Sequence, residues 1–126
     1  MTSGQQHKRR WRDYETPSGA RPVKDYIQAV ARENISAATR IVAAMKEVEQ
    51  LGTIAARHLR GDIWEVRISG EGKAFRVLFA TEGRHSQVLL ALEGFTKKTR
   101  TTPPELIALA EERLRDWRER GAWRQR

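Results

Sequence analysis

The chain has 126 residues, a length that fits one domain with a single modest hydrophobic core. Its formal net charge is +8 although 16 acidic residues are present, which indicates a mixed-charge globular surface with a basic excess. This excess favours a polyanionic partner, with RNA or DNA ahead of a membrane surface. No apolar run is long enough to span a bilayer.

The residue types that usually bind metals or react as nucleophiles are scarce. The absence of cysteine excludes disulfides, thiolate metal ligands and a thiol nucleophile, and it fits a reducing cytoplasm. His7, His58 and His85 show no ligand spacing, so we expect neither a metal nor another cofactor. The basic cluster HKRRWR is not followed by an apolar segment, so we expect no secretory signal and a cytoplasmic location.

The N-terminal half predicts a short edge strand followed by two helices. Residues 11–15 fit the strand, and a turn signal follows them. Pro22 suits the first turn of an amphipathic helix that ends near Arg32. Asn34 or Ser36 can cap a second helix, which is expected to end at Gly52.

Two strands that each carry one arginine follow this helical hairpin. Apolar residues alternate with polar ones in Ile63–Ile68 and again in Lys73–Ala80, which is the period of a half-buried strand. Residues 69–72 have a tight-turn composition and predict an antiparallel hairpin with a four-residue loop. In that hairpin Ile68 would pair with Lys73.

The polar positions of the two strands are expected to share one face of the sheet. The predicted register places Glu65 opposite Arg76 and puts Arg67 diagonally from Arg76. Two guanidinium groups in one patch repel each other, and a single carboxylate answers only one of them, so an anion such as a phosphate is expected there. Alternatively, the arginines are ordinary solubility residues on the wet face of a sheet.

The C-terminal part predicts a central strand and a last helix. Residues 87–92 are apolar on both parities, as in a strand that is covered on both faces. Residues 96–102 are polar and cationic, and a helix is expected to begin at Pro103 or Pro104. The prediction is an α+β domain over residues 11–120, with the helices on one side of a small antiparallel sheet of about four strands. The flanking residues 1–10 and 121–126 are expected to be a flexible basic N-terminus and a C-terminal tail.

Three stretches resemble the RelE-type toxins of bacterial toxin–antitoxin systems, and within them the phage-related HigB-like branch. They are LRGDIWEVR at 59–67, FRVLF at 75–79, and FTKKT at 95–99 with the Thr-Pro pair at 102–103. The resemblance covers almost the whole chain and implies a RelE-like fold. It also implies a toxin that acts as a ribosome-dependent endoribonuclease, an mRNA interferase that enters the ribosomal A site and cuts translated messenger RNA. A cognate helix-turn-helix antitoxin would hold it silent.

The resemblance further implies which residues act. In metal-free cleavage the 2′-hydroxyl attacks the adjacent phosphorus, so catalysis requires charge stabilisation and proton transfer. Arg67 and Arg76 are expected to clamp the phosphate, and Lys97 to neutralise the scissile phosphate or the leaving oxygen. The basic residues Arg60, Lys73, Lys98 and Arg100 are expected to contact RNA through flanking phosphates. The ring of Phe95 is expected either to stack on a base or to belong to the core.

The general base is the least determined role. Many relatives have a histidine where this chain has Glu93, which makes Glu93 the first candidate; Glu65 and His85 are weaker ones. Two other functions stay open. A ParE-like relative with this architecture acts on DNA gyrase and cuts nothing, although two strand arginines with Lys97 favour cleavage. A phage-encoded RNA-binding regulatory module that has lost cleavage would also fit the departure at Glu93.

Overall fold

A five-stranded sheet with three helices forms the part of the chain that the computed structural model describes, namely residues 7–70, 72–97 and 101–121. The strands are β1 (Arg10–Asp13), β2 (Arg57–Arg60), β3 (Ile63–Gly70), β4 (Lys73–Glu82) and β5 (Val88–Lys97). The helices are α1 (Pro22–Glu33), α2 (Ile35–Leu51) and α3 (Pro104–Gly121), and a 3₁₀ turn, Gly52–Ala55, follows α2. None of the described helices is long and apolar enough to cross a membrane. The predictions for residues 1–6, Lys98, Arg100 and 122–126 lie outside the described residues.

The N-terminal helical hairpin is confirmed. Pro22 occupies the first turn of α1, and the backbone N–H of Asn34 donates to the carbonyl of Val30 where that helix ends. The Asn34 side chain caps α2 by accepting a hydrogen bond of 3.1 Å from the backbone N–H of Ala37. One residue therefore ends the first helix and starts the second.

The sheet has the strand order β1-β5-β4-β3-β2. All pairs are antiparallel except β1 with β5, which is parallel. The two helices carry the chain from β1 at one edge of the sheet to β2 at the other edge. The expected number of about four strands misses β2. Its sequence RHLR has no apolar alternation and therefore predicts no strand, but it pairs with β3 at the edge of the sheet.

The predicted register of the β3–β4 hairpin is wrong by two residues. Gly70, and not Ile68, pairs with Lys73, so the loop has two residues instead of four. Gly72 has a φ of 76°, a left-handed conformation that glycine adopts without steric cost and that allows the tight turn. Arg67 therefore lies directly opposite Arg76, and Glu65 lies opposite Leu78. Because side chains alternate with period two, the predicted faces are unchanged.

The helices cover both faces of the sheet, whereas the sequence predicted one side. Residues of α1 and α2 pack with Val66, Val77 and Phe79 on one face. Ala110 and Leu114 of α3 pack on the other face with side chains that include Leu78, Leu90 and Leu92. The second cover exists because β4 and β5 carry apolar residues on both parities.

Ion pairs fasten α3 along its edges. Arg118 Nη2 lies 2.6 Å from Glu82 on β4, and Arg60 Nη2 lies 2.8 Å from Glu111 on the helix. Tyr14 donates a hydrogen bond of 2.6 Å to Asp116. The fold is thus α+β, with an N-terminal helix pair, a mostly antiparallel sheet and a C-terminal helix in a RelE-like arrangement.

Candidate functional site

The α3 side of the sheet carries a cluster of cations beyond the N-terminal end of that helix. Arg67, Arg76 and Phe95 lie side by side on β3, β4 and β5. Lys97 pairs with Ala74, which is two positions from Arg76 and therefore on the same face. On the other side, Arg57 of the edge strand pairs with Glu65, which brings a fourth cation to this face.

One carboxylate serves both strand arginines. Glu65 Oε1 lies 3.5 Å from Arg67 Nε, and Glu65 Oε2 lies 3.7 Å from Arg76 Nε. The Thr102 hydroxyl donates a hydrogen bond to Glu65 Oε2 from the segment that leads into α3. Only 1% of the Glu65 side chain is exposed. Glu65 thus holds the two guanidinium groups together and ties the start of the last helix to them.

The two arginines differ strongly in exposure. The side chain of Arg67 is 34% exposed, and that of Arg76 is 3% exposed. Arg76 Nη1 donates a 3.0 Å hydrogen bond to the carbonyl of Phe75, while its Nε has no hydrogen-bond partner within the described part of the chain. Burial lowers the pKa of Arg76; Glu65 opposes this shift, and Arg67 and Arg57 reinforce it. Arg67 therefore faces solvent, and Arg76 forms the floor beside it.

The side chains of Arg67 and Arg76 line a hollow of about 870 Å³, which we call the arginine hollow. Its basic lining residues are Arg57, Arg67, Lys73 and Arg76. Of the described lining residues, Glu65 is the only acidic one, and its charge is already shared between two arginines. Thr101, Thr102 and Ile107 close the hollow on the α3 side. The arrangement is an open basic concavity suited to phosphate oxygens.

Lys97 lies at the end of β5, on the same face as the arginines, but it is not among the described residues that line the hollow. Its Nζ is buried and has no hydrogen-bond partner among the described residues. Burial lowers the pKa of Lys97, and the positive charge of Arg76 lowers it further. This ammonium group consequently releases its proton more readily than an ordinary lysine.

The remaining predicted residues are placed in different ways. Glu93 is not among the residues that line the hollow, and its carboxylate is ion-paired with Arg113 Nη1 at 3.0 Å. Arg60 is likewise paired with Glu111 of α3. Phe95 packs against the apolar core under α3, while Lys73 lines the hollow. His85 stacks on His7, with ring centroids 3.7 Å apart, and does not line the hollow.

Two residues of the site were not predicted as functional. Arg57 lies in β2, whose sequence lacks a strand pattern, and Thr102 stands out in the sequence only as part of the Thr-Pro pair at 102–103. The sequence signal that could have identified Arg57 is a basic residue shortly before a predicted strand that itself carries an arginine. Nothing in the sequence shows that Thr102 would reach Glu65, 37 residues away in the chain. Among the described residues, no group of three or more histidine or acidic side chains is placed to hold a metal ion.

A comparison with protein families finds one that covers most of the chain. The family model described as "Phage derived protein Gp49-like (DUF891)" matches residues 25–115, a range that includes every described residue lining the arginine hollow. No curated protein matches the chain. The chain therefore belongs to the Gp49-like family of phage-derived proteins, the HigB-like branch that its motifs resemble.

Proposed function

We propose that this protein is the toxin of a toxin–antitoxin pair and acts as a ribosome-dependent, metal-independent endoribonuclease. The observation that carries the proposal is the pair formed by Arg67 and Arg76, which face each other on adjacent strands at the base of an open basic hollow. Membership of the Gp49-like family and the net charge of +8 support the same function.

The first step of the proposed activity is the binding of the scissile phosphate. Arg67 is exposed enough to give its guanidinium fork to two phosphate oxygens. Arg76, buried beneath it and held by the carbonyl of Phe75, adds positive charge at a fixed position. Glu65 does not neutralise the site, because one carboxylate stands among three arginines and a lysine.

The second step is the exchange of bonds at phosphorus. The 2′-hydroxyl oxygen bonds to phosphorus as the bond to the 5′-oxygen of the next nucleotide breaks, leaving a 2′,3′-cyclic phosphate and a 5′-hydroxyl. The arginines stabilise the negative charge that accumulates on the phosphorane oxygens. Lys97, whose pKa is lowered, is suited to protonating the departing 5′-oxygen. Glu93 remains the predicted base for the 2′-hydroxyl proton, and Arg113 would have to release it.

The partners follow from the same proposal. The substrate is messenger RNA in the ribosomal A site, and a helix-turn-helix antitoxin is the cognate inhibitor in the cytoplasm. The cations around the hollow would bind phosphates without regard to sequence and in a salt-dependent way.

One observation favours a second candidate, an RNA-binding regulatory module that does not cut. The only acidic side chain among the described lining residues, Glu65, is occupied by two arginines, and Glu93 is occupied by Arg113. In this arrangement the hollow binds a phosphate but has no unpaired carboxylate to accept the 2′-hydroxyl proton.

Expression in bacterial cells separates these candidates. The wild-type chain, Arg67→Ala and the exposed charge control Arg115→Ala are induced, and the 5′ ends of cellular transcripts are mapped. The proposal predicts new ends within translated messages that follow the reading frame, present with Arg115→Ala and lost with Arg67→Ala. Intact messages that copurify with the chain would support the RNA-binding module instead. Intact messages with gyrase trapped on DNA would support a ParE-like toxin.

A further inference from the structure

A second, smaller hollow of about 280 Å³ lies on the opposite side of the sheet from the arginines. It is formed where α1 meets α2, at the start of β4 and the end of β5. Phe75 and Thr96, which pair across these two strands, both line it. Ala29 and Glu33 contribute from α1. The hollow is therefore built by two layers of the fold, the helix pair and the sheet, and not by one loop.

Lys73 connects the two hollows. Its side chain lines the arginine hollow and also the smaller one, because it stands at the start of β4 next to the hairpin turn. On the helix side of this hairpin, the guanidinium of Arg40 lies so close to Gly70 that any Cβ at that position would collide with it. Positive charge thus continues from Arg67 around the end of the hairpin to the smaller hollow, along a path that a phosphate backbone can follow.

The lining of the smaller hollow differs chemically from that of the arginine hollow. Its surface is mainly apolar, with Phe75 as its aromatic wall. The hydroxyls of Tyr26 and Thr96 lie 2.8 Å apart at its edge, and Glu33 supplies a carboxylate. An apolar cleft with a few polar groups at its margin suits a flat, partly polar ring, and unstacked bases of single-stranded RNA are recognised in this way.

We infer that the smaller hollow receives a nucleobase of the strand whose phosphates lie in the arginine hollow, with Lys73 between the two sites. This inference rests on the proposed function, because it takes the strand to be RNA. Glu33 can only accept hydrogen bonds when ionised, so it favours a base that presents an amino group, such as cytosine, over uracil or thymine.

Binding of labelled single-stranded DNA, which lacks the 2′-hydroxyl and is not cut by the proposed chemistry, tests the inference. Oligo-dC, oligo-dT and an abasic strand of equal length are titrated by fluorescence anisotropy. We expect oligo-dC to bind about fivefold or more tightly than the abasic strand, in line with typical base contacts, and more tightly than oligo-dT. Ala29→Leu fills the hollow from an exposed helix position and should bring oligo-dC down to the affinity of the abasic strand. Gln28→Leu, which adds the same side chain outside the hollow, should change neither.

The carboxylate is tested with a matched pair of substitutions. Glu33→Gln should reduce the preference for oligo-dC over oligo-dT, whereas Glu47→Gln, which makes the same charge change on an exposed part of α2, should leave the preference intact. Equal affinity for oligo-dC and the abasic strand, or equal weakening of both by Ala29→Leu, would overturn the base site. The phosphate site has its own readout: an Arg67→Ala variant that binds the abasic strand as well as wild type would instead overturn the proposed function.

Discussion

Arg67 on β3 and Arg76 on β4 form a directly opposed cross-strand pair, and the single carboxylate of Glu65 lies within 3.7 Å of both guanidinium groups. Like charges in opposed positions destabilise a sheet, so the pair is kept in place by Glu65 and by the surrounding packing. Arg76 is buried and Arg67 is exposed, which leaves excess positive charge directed into the hollow. A phosphate would relieve this repulsion.

The salt dependence of binding reports the number of phosphate contacts. If the four cations that line the hollow each contact a phosphate, log K for a single-stranded oligonucleotide should fall with log salt with a slope of about −3. Arg67→Ala should make this slope shallower by about 0.7, and Arg115→Ala should leave it unchanged. Fluorescence anisotropy at several salt concentrations measures both slopes. Identical slopes for wild type and Arg67→Ala would show that Arg67 does not contact a phosphate.

Removal of the shared carboxylate should destabilise the fold. Glu65→Gln leaves the buried guanidinium of Arg76 without its counter-charge, and breaking a buried ion pair from one side typically costs about 3 kcal/mol. Urea unfolding measures the free energy of unfolding. The control is Glu111→Gln, which breaks the ion pair with Arg60. The Glu111 and Arg60 side chains are 33% and 48% exposed, so this loss should cost much less stability than Glu65→Gln. Equal losses in the two variants would contradict the role assigned to Glu65.

Lys97 should make stability depend on pH in an identifiable way. The pKa of Lys97 in the folded chain lies below 10.5, its value in the unfolded chain. At a pH between the folded-state pKa and 10.5, the unfolded chain binds more protons, so the free energy of unfolding increases as the pH rises. At neutral pH the charged amine of Lys97 therefore destabilises the folded state. Lys97→Met should therefore be more stable than wild type at pH 7, with a difference that shrinks as the pH approaches 10.5.

The comparison with a surface lysine isolates this effect. Lys46→Met on the exposed part of α2 should show no such narrowing between pH 7 and alkaline pH in thermal unfolding experiments. The same Lys97→Met protein should have lost cleavage, since its proton donor is gone. A stability difference that stays constant with pH would show that burial does not disfavour the Lys97 ammonium.

The alternation of residues along the strands was enough to place Glu65, Arg67 and Arg76 on one face. It was not enough to place them opposite each other, because a shift of two residues preserves every face and changes every pair. The loop length decides between the two registers, and both a two-residue and a four-residue loop fit the composition Ser-Gly-Glu-Gly. The facing arginine pair is therefore a finding of the structure.

Local sequence patterns do not predict which residues far apart in the chain contact each other. The helix α3 shows a clear amphipathic stripe, but a stripe does not say which face of the sheet it will cover. Because α3 lies on the arginine side, Arg113 reaches Glu93 and the Thr102 hydroxyl reaches Glu65. These contacts join residues at least 20 positions apart in the chain. They engage Glu93 and Glu65, the two carboxylates that the sequence offers as candidate bases.

Cleavage of a defined message in a reconstituted translation reaction tests the central claim most directly. Once the cut is mapped, the message is remade with a single 2′-deoxynucleotide at the scissile position, and the fragment ends are analysed. The account predicts a 2′,3′-cyclic phosphate on the upstream fragment, no cut in the deoxy-substituted message, and a rate for Arg67→Ala that is lower by about 100-fold or more. Undiminished cutting by Arg67→Ala, or cutting that persists without the 2′-hydroxyl, would contradict it.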